Sequence, residues 1–298
     1  MKVSLCCFAF LALTFTLLAD EKKPWNVRDH IPLKDIIVQA HRGAGELAPE
    51  NSMEAFDIAW KLGVIPEADI RMTRDGVIVS FHDNDFTRIL PTASEEMQKK
   101  GIKDLSYEEV KKLDIGAWKG QEFSEQRIAS MSEIIDVLKK HPHRKVYVDI
   151  KNVNFEQLAK ESEGVHPQMI LASTVYEQIE LWKKVAPTSF TLHWMGGTEE
   201  KLTERLEQLK EKQFRGIDQL QIHVRTNRDG VFEPSEAFLR ETGELLRKHN
   251  ILYQVLPWGG KTKEVYKRLM DLGVASFATD FPDVTMQAIT EYYAAPRP

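Results

Sequence analysis

Two histidines, three carboxylates, an arginine and a lysine occupy places in this chain where they can work together. His41-Arg42 closes one short apolar run, and His82-Asp83 closes another. Glu67 and Asp69 lie two residues apart in a third run, as Asp149 and Lys151 do in a fourth. Residues two apart in a strand share a face. Three carboxylates on inward-facing strand positions repel one another unless a cation joins them, and oxygen ligands of this kind suit Mg²⁺ or Ca²⁺. The competing reading pairs them with Arg71 and Lys151, which occupy the same faces. His41 and His82 suit a general acid and a general base near neutral pH; the plainer alternative is a structural histidine at each place. Arg42 offers a planar fork for a phosphate. Gly43 leaves room for a ligand beside it, and Lys151 can balance charge on a phosphate or a leaving oxygen. As a set, these residues suit metal-assisted chemistry on a phosphate ester.

Short β-rich runs must carry these side chains. The end of Ile36–Val38 meets His41-Arg42-Gly43-Ala44-Gly45, where two glycines allow tight backbone approach. A helix is expected from about Ser52 to Leu62, with Asn51 as N-cap, Glu54 completing a capping box and Gly63 at the C-terminal turn. The strand Glu67–Met72 places Glu67, Asp69 and Arg71 on one face. After a turn at Asp75-Gly76, Val77–Phe81 delivers His82. Residues 84–131 read as an insertion with a short helix capped at Ser106.

A helix from Ser132 to Lys140 precedes Val146–Ile150, where Tyr147, Asp149 and Lys151 share a face. Further β-like runs are Met169–Ala172, Phe190–Leu192, Leu220–Val224, Leu252–Leu256 and Ser276–Thr279. Helices fall between them, as at Thr198–Lys212 and Ser235–His249. Eight strands alternating with helices argue an α/β chain folded as a (β/α)₈ TIM barrel, with a small insertion after the second strand-turn-strand unit. An open α/β sheet is disfavoured because no GxGxxG follows the first strand. Gln221, His223 and Arg225 share one strand face. Trp118, Trp194 and Trp258 sit at loops or strand ends, as candidates for a pocket wall.

With 298 residues, 42% hydrophobic and 29% charged, the chain has the composition of an ordinary globular domain. Its net charge of −5 gives no footprint for nucleic acid, so a nucleic-acid partner is not expected. Lys2, then an uncharged run from Val3 to Ala19, then Asp20-Glu21-Lys22-Lys23 read as a signal peptide over residues 1–19. A lead-in spans 20–35, and the barrel spans 36–298. The expected destination is export, to the periplasm or the exterior, without stable membrane insertion once the leader is cleaved; an uncleaved anchor is the competing reading. The two cysteines, Cys6 and Cys7, lie inside the leader, so no disulfide or thiol chemistry is expected beyond it.

His41-Arg42-Gly43, Pro49-Glu50-Asn51, Glu67-x-Asp69, Asp75-Gly76 and His82-Asp83, in this order and spacing, resemble the signature of the glycerophosphodiester phosphodiesterase family. The likeness continues through Leu105-Ser106, Leu113-Asp114-Ile115-Gly116, Val148-Asp149-Ile150-Lys151 and Thr279-Asp280-Phe281-Pro282. It implies a TIM barrel. It implies that His41 and His82 are the acid–base pair, that Glu67, Asp69 and Asp149 hold one divalent cation, Ca²⁺ or Mg²⁺, and that Arg42 and Lys151 contact the phosphate. The implied reaction is metal-dependent hydrolysis of a small-molecule glycerophosphodiester to sn-glycerol 3-phosphate and an alcohol. Two departures stand out. The family places Glu where Asp149 stands. Its seventh strand ends in a Trp-Thr-x-Asn-like motif, where this chain has Gln254-Val255-Leu256-Pro257-Trp258-Gly259-Gly260, so the alcohol side of the pocket should have its own shape. Two further readings use the same residues: a phospholipase C- or D-like enzyme acting on phosphoinositide or phospholipid head groups, and a non-catalytic barrel that binds phosphorylated ligands.

Overall fold

The computed structural model describes residues 25–227 and 230–296. The leader expected over 1–19 lies outside the described residues. Among them, no helix is long and apolar enough to cross a membrane.

The strands are β1 (Ile37–Ala40), β2 (Ile65–Met72), β3 (Ile78–Ser80), β4 (Val146–Asn152), β5 (Met169–Ser173), β6 (Phe190–Met195), β7 (Gln219–Thr226), β8 (Phe232–Glu233), β9 (Leu252–Trp258) and β10 (Ser276–Thr279). Strands β1, β2, β4, β5, β6, β7, β9 and β10 pair in parallel in that order, and β10 pairs back onto β1. The sheet is therefore a closed eight-stranded parallel barrel. β3 and β8 hang from it as antiparallel flaps on β2 and β7. The helices are α1 (Met53–Lys61), α2 (Glu95–Gln98), α3 (Tyr107–Val110), α4 (Met131–Lys140), α5 (Phe155–Glu161), α6 (Tyr176–Val185), α7 (Glu199–Glu211), α8 (Glu236–Lys248), α9 (Lys263–Asp271) and α10 (Pro282–Ala294).

Local sequence explains most element ends. Ser130 caps α4 and exchanges hydrogen bonds with Glu133, so the helix starts before the Ser132 expected for it. Ile134, Ile135 and Leu138 then face the sheet. Helix α1 corrects one expectation. Its cap is Ser52, whose Oγ accepts from Ala55 N at 3.1 Å, and not Asn51. Asn51 adopts a left-handed φ of 59° and is fully buried, turned toward the barrel. Gly63 does occupy the left-handed position after α1, at φ 76°.

Residues 84–131 lie between β3 and α4 and include α2 and α3. They build a satellite core from Phe86, Ile89, Ile102, Val110 and Ile115 against Val79 and Phe81. The barrel interior is apolar at its floor, where Tyr147, Ile170, Ala172 and Leu192 pack together. Beside them Gln39, Gln219, Gln221 and Gln254 are buried and joined through Tyr147 in one hydrogen-bond network. Tyr147 Oη donates to Gln219 Oε1 at 2.7 Å, and Gln221 Nε2 donates to Gln254 Oε1 at 2.6 Å. Buried amides need such partners, and this network supplies a rigid, dry base for the polar layer above.

Candidate active site

The register of the barrel gathers the sequence-predicted residues at the C-terminal ends of its strands. Glu67 stands beside Tyr147 and Asp69 beside Asp149 in the β2–β4 ladder, which sets three carboxylates on one interior layer. Ligand oxygens of Glu67, Asp69 and Asp149 all lie within 4.8 Å of one another. Glu67 is 2% exposed and Asp69 1%, so water cannot solvate this charge. Burial and the charge of Asp69 push the Glu67 carboxyl up to about 8. Burial also raises Asp149. For Asp69 burial acts the same way, but Lys151, His82 and the Asn51 hydrogen bond outweigh it and bring the group down to about 2. Lys151 Nζ lies 3.0 Å from Asp69 and 2.7 Å from Asp149. One ammonium against three carboxylates leaves the cluster short of positive charge. The all-oxygen donor set and this deficit fit a hard divalent cation. Arg71, the other expected counter-charge, is absent from the cluster. A register shift after Ile70 accompanies its turn away, and its guanidinium donates to the carbonyls of Phe81 and His82.

His41 and His82 line the same cavity as the three carboxylates. Each holds Nδ1 against a carboxylate at 2.7 Å, His41 on Asp280 and His82 on Asp83. That contact leaves Nε2 of each ring as the nitrogen turned away from its carboxylate. Burial alone would lower His41, but the Asp280 hydrogen bond and the charge of Glu67 raise it. His82 Nε2 lies 3.0 Å from Arg42 Nη2, which fits an unprotonated acceptor nitrogen there.

The loop after β1 is built tightly. Arg42 takes a left-handed φ of 53° and donates its backbone N–H to Glu67 Oε2 at 2.6 Å. Its carbonyl accepts from Asn51 N. Its guanidinium bonds Glu50, which also holds Arg88 from the insertion. At Gly45, with φ +57°, an added Cβ would stand 2.1 Å from the carbonyl oxygen of Asp280, so only glycine lets this loop reach the residue that orients His41.

Three residues matter here that their positions in the sequence did not reveal. Asn51, expected as a cap, is instead a clamp: Oδ1 accepts from Asp69 N and Ser80 Oγ, and Nδ2 donates to Asp69 Oδ2. Asp280 follows the last strand, and only the pairing of Ala40 with Thr279 brings it to His41. Arg205, on α7, reaches Thr174 and Trp194 at the rim. Of the wider candidates, Trp194, Gln221, His223 and Trp258 line the cavity, while Trp118 and Arg225 line grooves that leave it.

The closed parallel barrel and its strand-end layer of acids, histidines and cations define an enzyme of the barrel phosphoesterase kind. The chain matches the glycerophosphoryl diester phosphodiesterase family over residues 41–284, and it belongs to that family. It is thus a phosphoric diester hydrolase, and its family context is glycerophosphodiester hydrolysis. A glycerophosphodiester phosphodiesterase of Caldanaerobacter subterraneus subsp. tengcongensis is 26% identical over 254 residues, covering 85% of this chain and 97% of that protein. Among solved structures, a glycerophosphodiester phosphodiesterase from Agrobacterium tumefaciens superposes with a TM-score of 0.65 at 21% identity, covering 85% of this chain and 99% of that one. A phosphodiesterase from Oleispira antarctica, solved in complex with the product sn-glycerol-3-phosphate, superposes with a TM-score of 0.64 at 23% identity, covering 85% and 96%.

Proposed function

We propose that the chain cleaves a glycerophosphodiester to sn-glycerol 3-phosphate and an alcohol, with His41 and His82 as the acid–base pair and with Glu67, Asp69 and Asp149 holding one divalent cation, Ca²⁺ or Mg²⁺. The observation that carries this reading is the doubling of the histidine–carboxylate pair around one carboxylate triad. When bound, the cation supplies charge neutralisation to the phosphodiester.

The residues of this chain do the rest. Arg42 and Lys151 line the cavity and attract the phosphate oxygens. His82, with Nδ1 held by Asp83 and Nε2 facing a guanidinium, takes the proton of the nucleophile. His41, raised by Asp280 and Glu67, carries the proton that the leaving alkoxide needs. Trp258 stands edge-on to His41, with ring centres 5.5 Å apart, and keeps water off one side of that ring. The leader at 1–19 is proposed to direct export, in line with its charge and hydropathy pattern.

The test is release of glycerol phosphate by the chain lacking residues 1–19, after chelation and after return of Ca²⁺ or Mg²⁺. Turnover should vanish and return. H82A should lose about two to four orders of magnitude in kcat while binding the cation as the parent does. H41A should lose far more on an alkyl ester than on a nitrophenyl ester, whose leaving group needs no proton. An active H82A enzyme, or equal losses for H41A on both esters, would overturn the assignments.

A further inference from the structure

The catalytic cavity opens into two grooves on either side of Trp258, which lines both. They are alike in size, about 490 and 480 Å³, so volume does not tell them apart. Charge does. In the first groove every cation already has a carboxylate. Arg42 and Arg88 share Glu50, Lys119 pairs with Glu46, and His41 pairs with Asp280. The second groove holds Arg205 and Arg225, and among the described residues neither guanidinium has a carboxylate within 4 Å. Glu233 is the one carboxylate lining it, the cross-strand neighbour of Arg225, and it reaches neither arginine.

Arg205 is half buried, and among the described residues its guanidinium bonds Thr174, His193 Nε2 and the Trp194 carbonyl. Burying a guanidinium without an anion is costly, and burial accordingly lowers its pKa. Where the groove meets the cavity that holds His41, the shared lining is aromatic. Trp194 and His223 stack with ring centres 5.0 Å apart, and Trp258 meets His223 edge-on at 5.4 Å. Gly196 crosses over His223 so closely that a Cβ there would lie 3.1 Å from Nδ1. Burial, with His41 and Arg225 nearby, lowers His223 to about 4, so the ring is neutral at working pH and adds no third charge.

We propose that this groove is the subsite for the leaving alcohol, and that Arg205 and Arg225 select an alcohol carrying its own anionic group, a phosphate or a carboxylate. The aromatic wall takes the body of the alcohol, and the arginines take its charge. The groove of paired charges is left for the neutral glycerol hydroxyls. This assignment rests on the phosphodiesterase reading above.

The experiment compares kcat/KM for glycerophosphoinositol and for the same ester with a phosphate on its inositol ring. The two probes differ only in that anionic phosphate group. The expected result is a preference of about ten-fold or more for the phosphorylated ester, the worth of one charge-assisted hydrogen bond. R225Q and R205Q should each shrink that ratio, and E233Q should enlarge it. Arg225 is exposed, so R225Q is the variant whose folding is least at risk. Equal turnover of both esters, or an R225Q enzyme that keeps the parent ratio, overturns the subsite and leaves the hydrolase reading intact. Turnover of neither ester, nor of any other glycerophosphodiester with cation present, overturns the hydrolase reading and the subsite with it.

Discussion

Asn51 is the residue whose removal should cost the most for its size. It accepts from Asp69 N at 3.0 Å and from Ser80 Oγ at 2.5 Å, and it donates to Asp69 Oδ2 at 2.9 Å. All three partners are fully buried or nearly so. In N51A the Asp69 amide and the Ser80 hydroxyl lose their acceptor in a dry setting. Each orphaned group costs about 1–3 kcal/mol, and the carboxylate loses a donor worth about as much. Alanine at the left-handed φ of 59° adds roughly 1 kcal/mol. The sum is about 4–10 kcal/mol, against a typical total of about 5–15. Urea unfolding of N51A measures it, and N51G, free of the side-chain clash, should lie within about 1 kcal/mol of N51A.

The pH dependence is a second reading of the same contacts. Asp69 is depressed to about 2 in the folded chain, so its contribution is fully present above the unfolded value of about 3.9 and is lost as pH falls through about 2. Asn51 is one cause of that depression. The stability gap between parent and N51A should therefore narrow as pH drops from about 4 to about 2. A loss below about 1 kcal/mol, or a gap that ignores pH across that window, would refute the clamp and leave Asn51 as a turn residue.

Two other substitutions probe the same loop. D280N replaces the carboxylate that raises His41 with a neutral acceptor, so the His41 pKa falls. Because the proposed acid role needs His41 protonated, activity is expected to be lost as pH rises through that pKa, and the alkaline limb of kcat/KM should move to lower pH; a limb that stays in place refutes His41 as the acid. G45A drives a Cβ toward the Asp280 carbonyl and should cost more than about 2 kcal/mol in thermal unfolding, whereas G63A, at φ 76° with nothing within 4 Å, should cost only roughly 1 for its backbone. Equal losses for the two would refute the close approach at Gly45.

What could be read from the sequence was whatever is local. Strand periodicity put Glu67 with Asp69, and Asp149 with Lys151, because side chains two apart share a face. The alternation of strands and helices announced the barrel. Asn51 was misread because its neighbour Ser52 is an equally good cap, and only the fold shows which of the two turns inward. Arg71 escaped the period-two expectation because the ladder shifts register just before it. Arg205 sits on a charge-rich helix, where an arginine reads as solvated; its burial depends on β6 lying beneath it.

The two histidines show the difference most clearly. His82 carries its own carboxylate as the next residue, so that pair exists wherever the chain is locally formed. His41 borrows Asp280 from the far end of the chain, through the pairing of Ala40 with Thr279 that joins the last strand to the first. The His41–Asp280 pair is therefore complete only when the barrel is closed. Gly45 and the Glu46 amide, which donates to the Asp280 carbonyl, sit on that same seam. A chain open between β1 and β10 would keep His82 oriented and leave His41 unraised, with the proposed base intact and the proposed acid not. On the proposed roles, closure of this fold is thus itself a catalytic requirement, imposed by a hydrogen bond that local sequence could not announce.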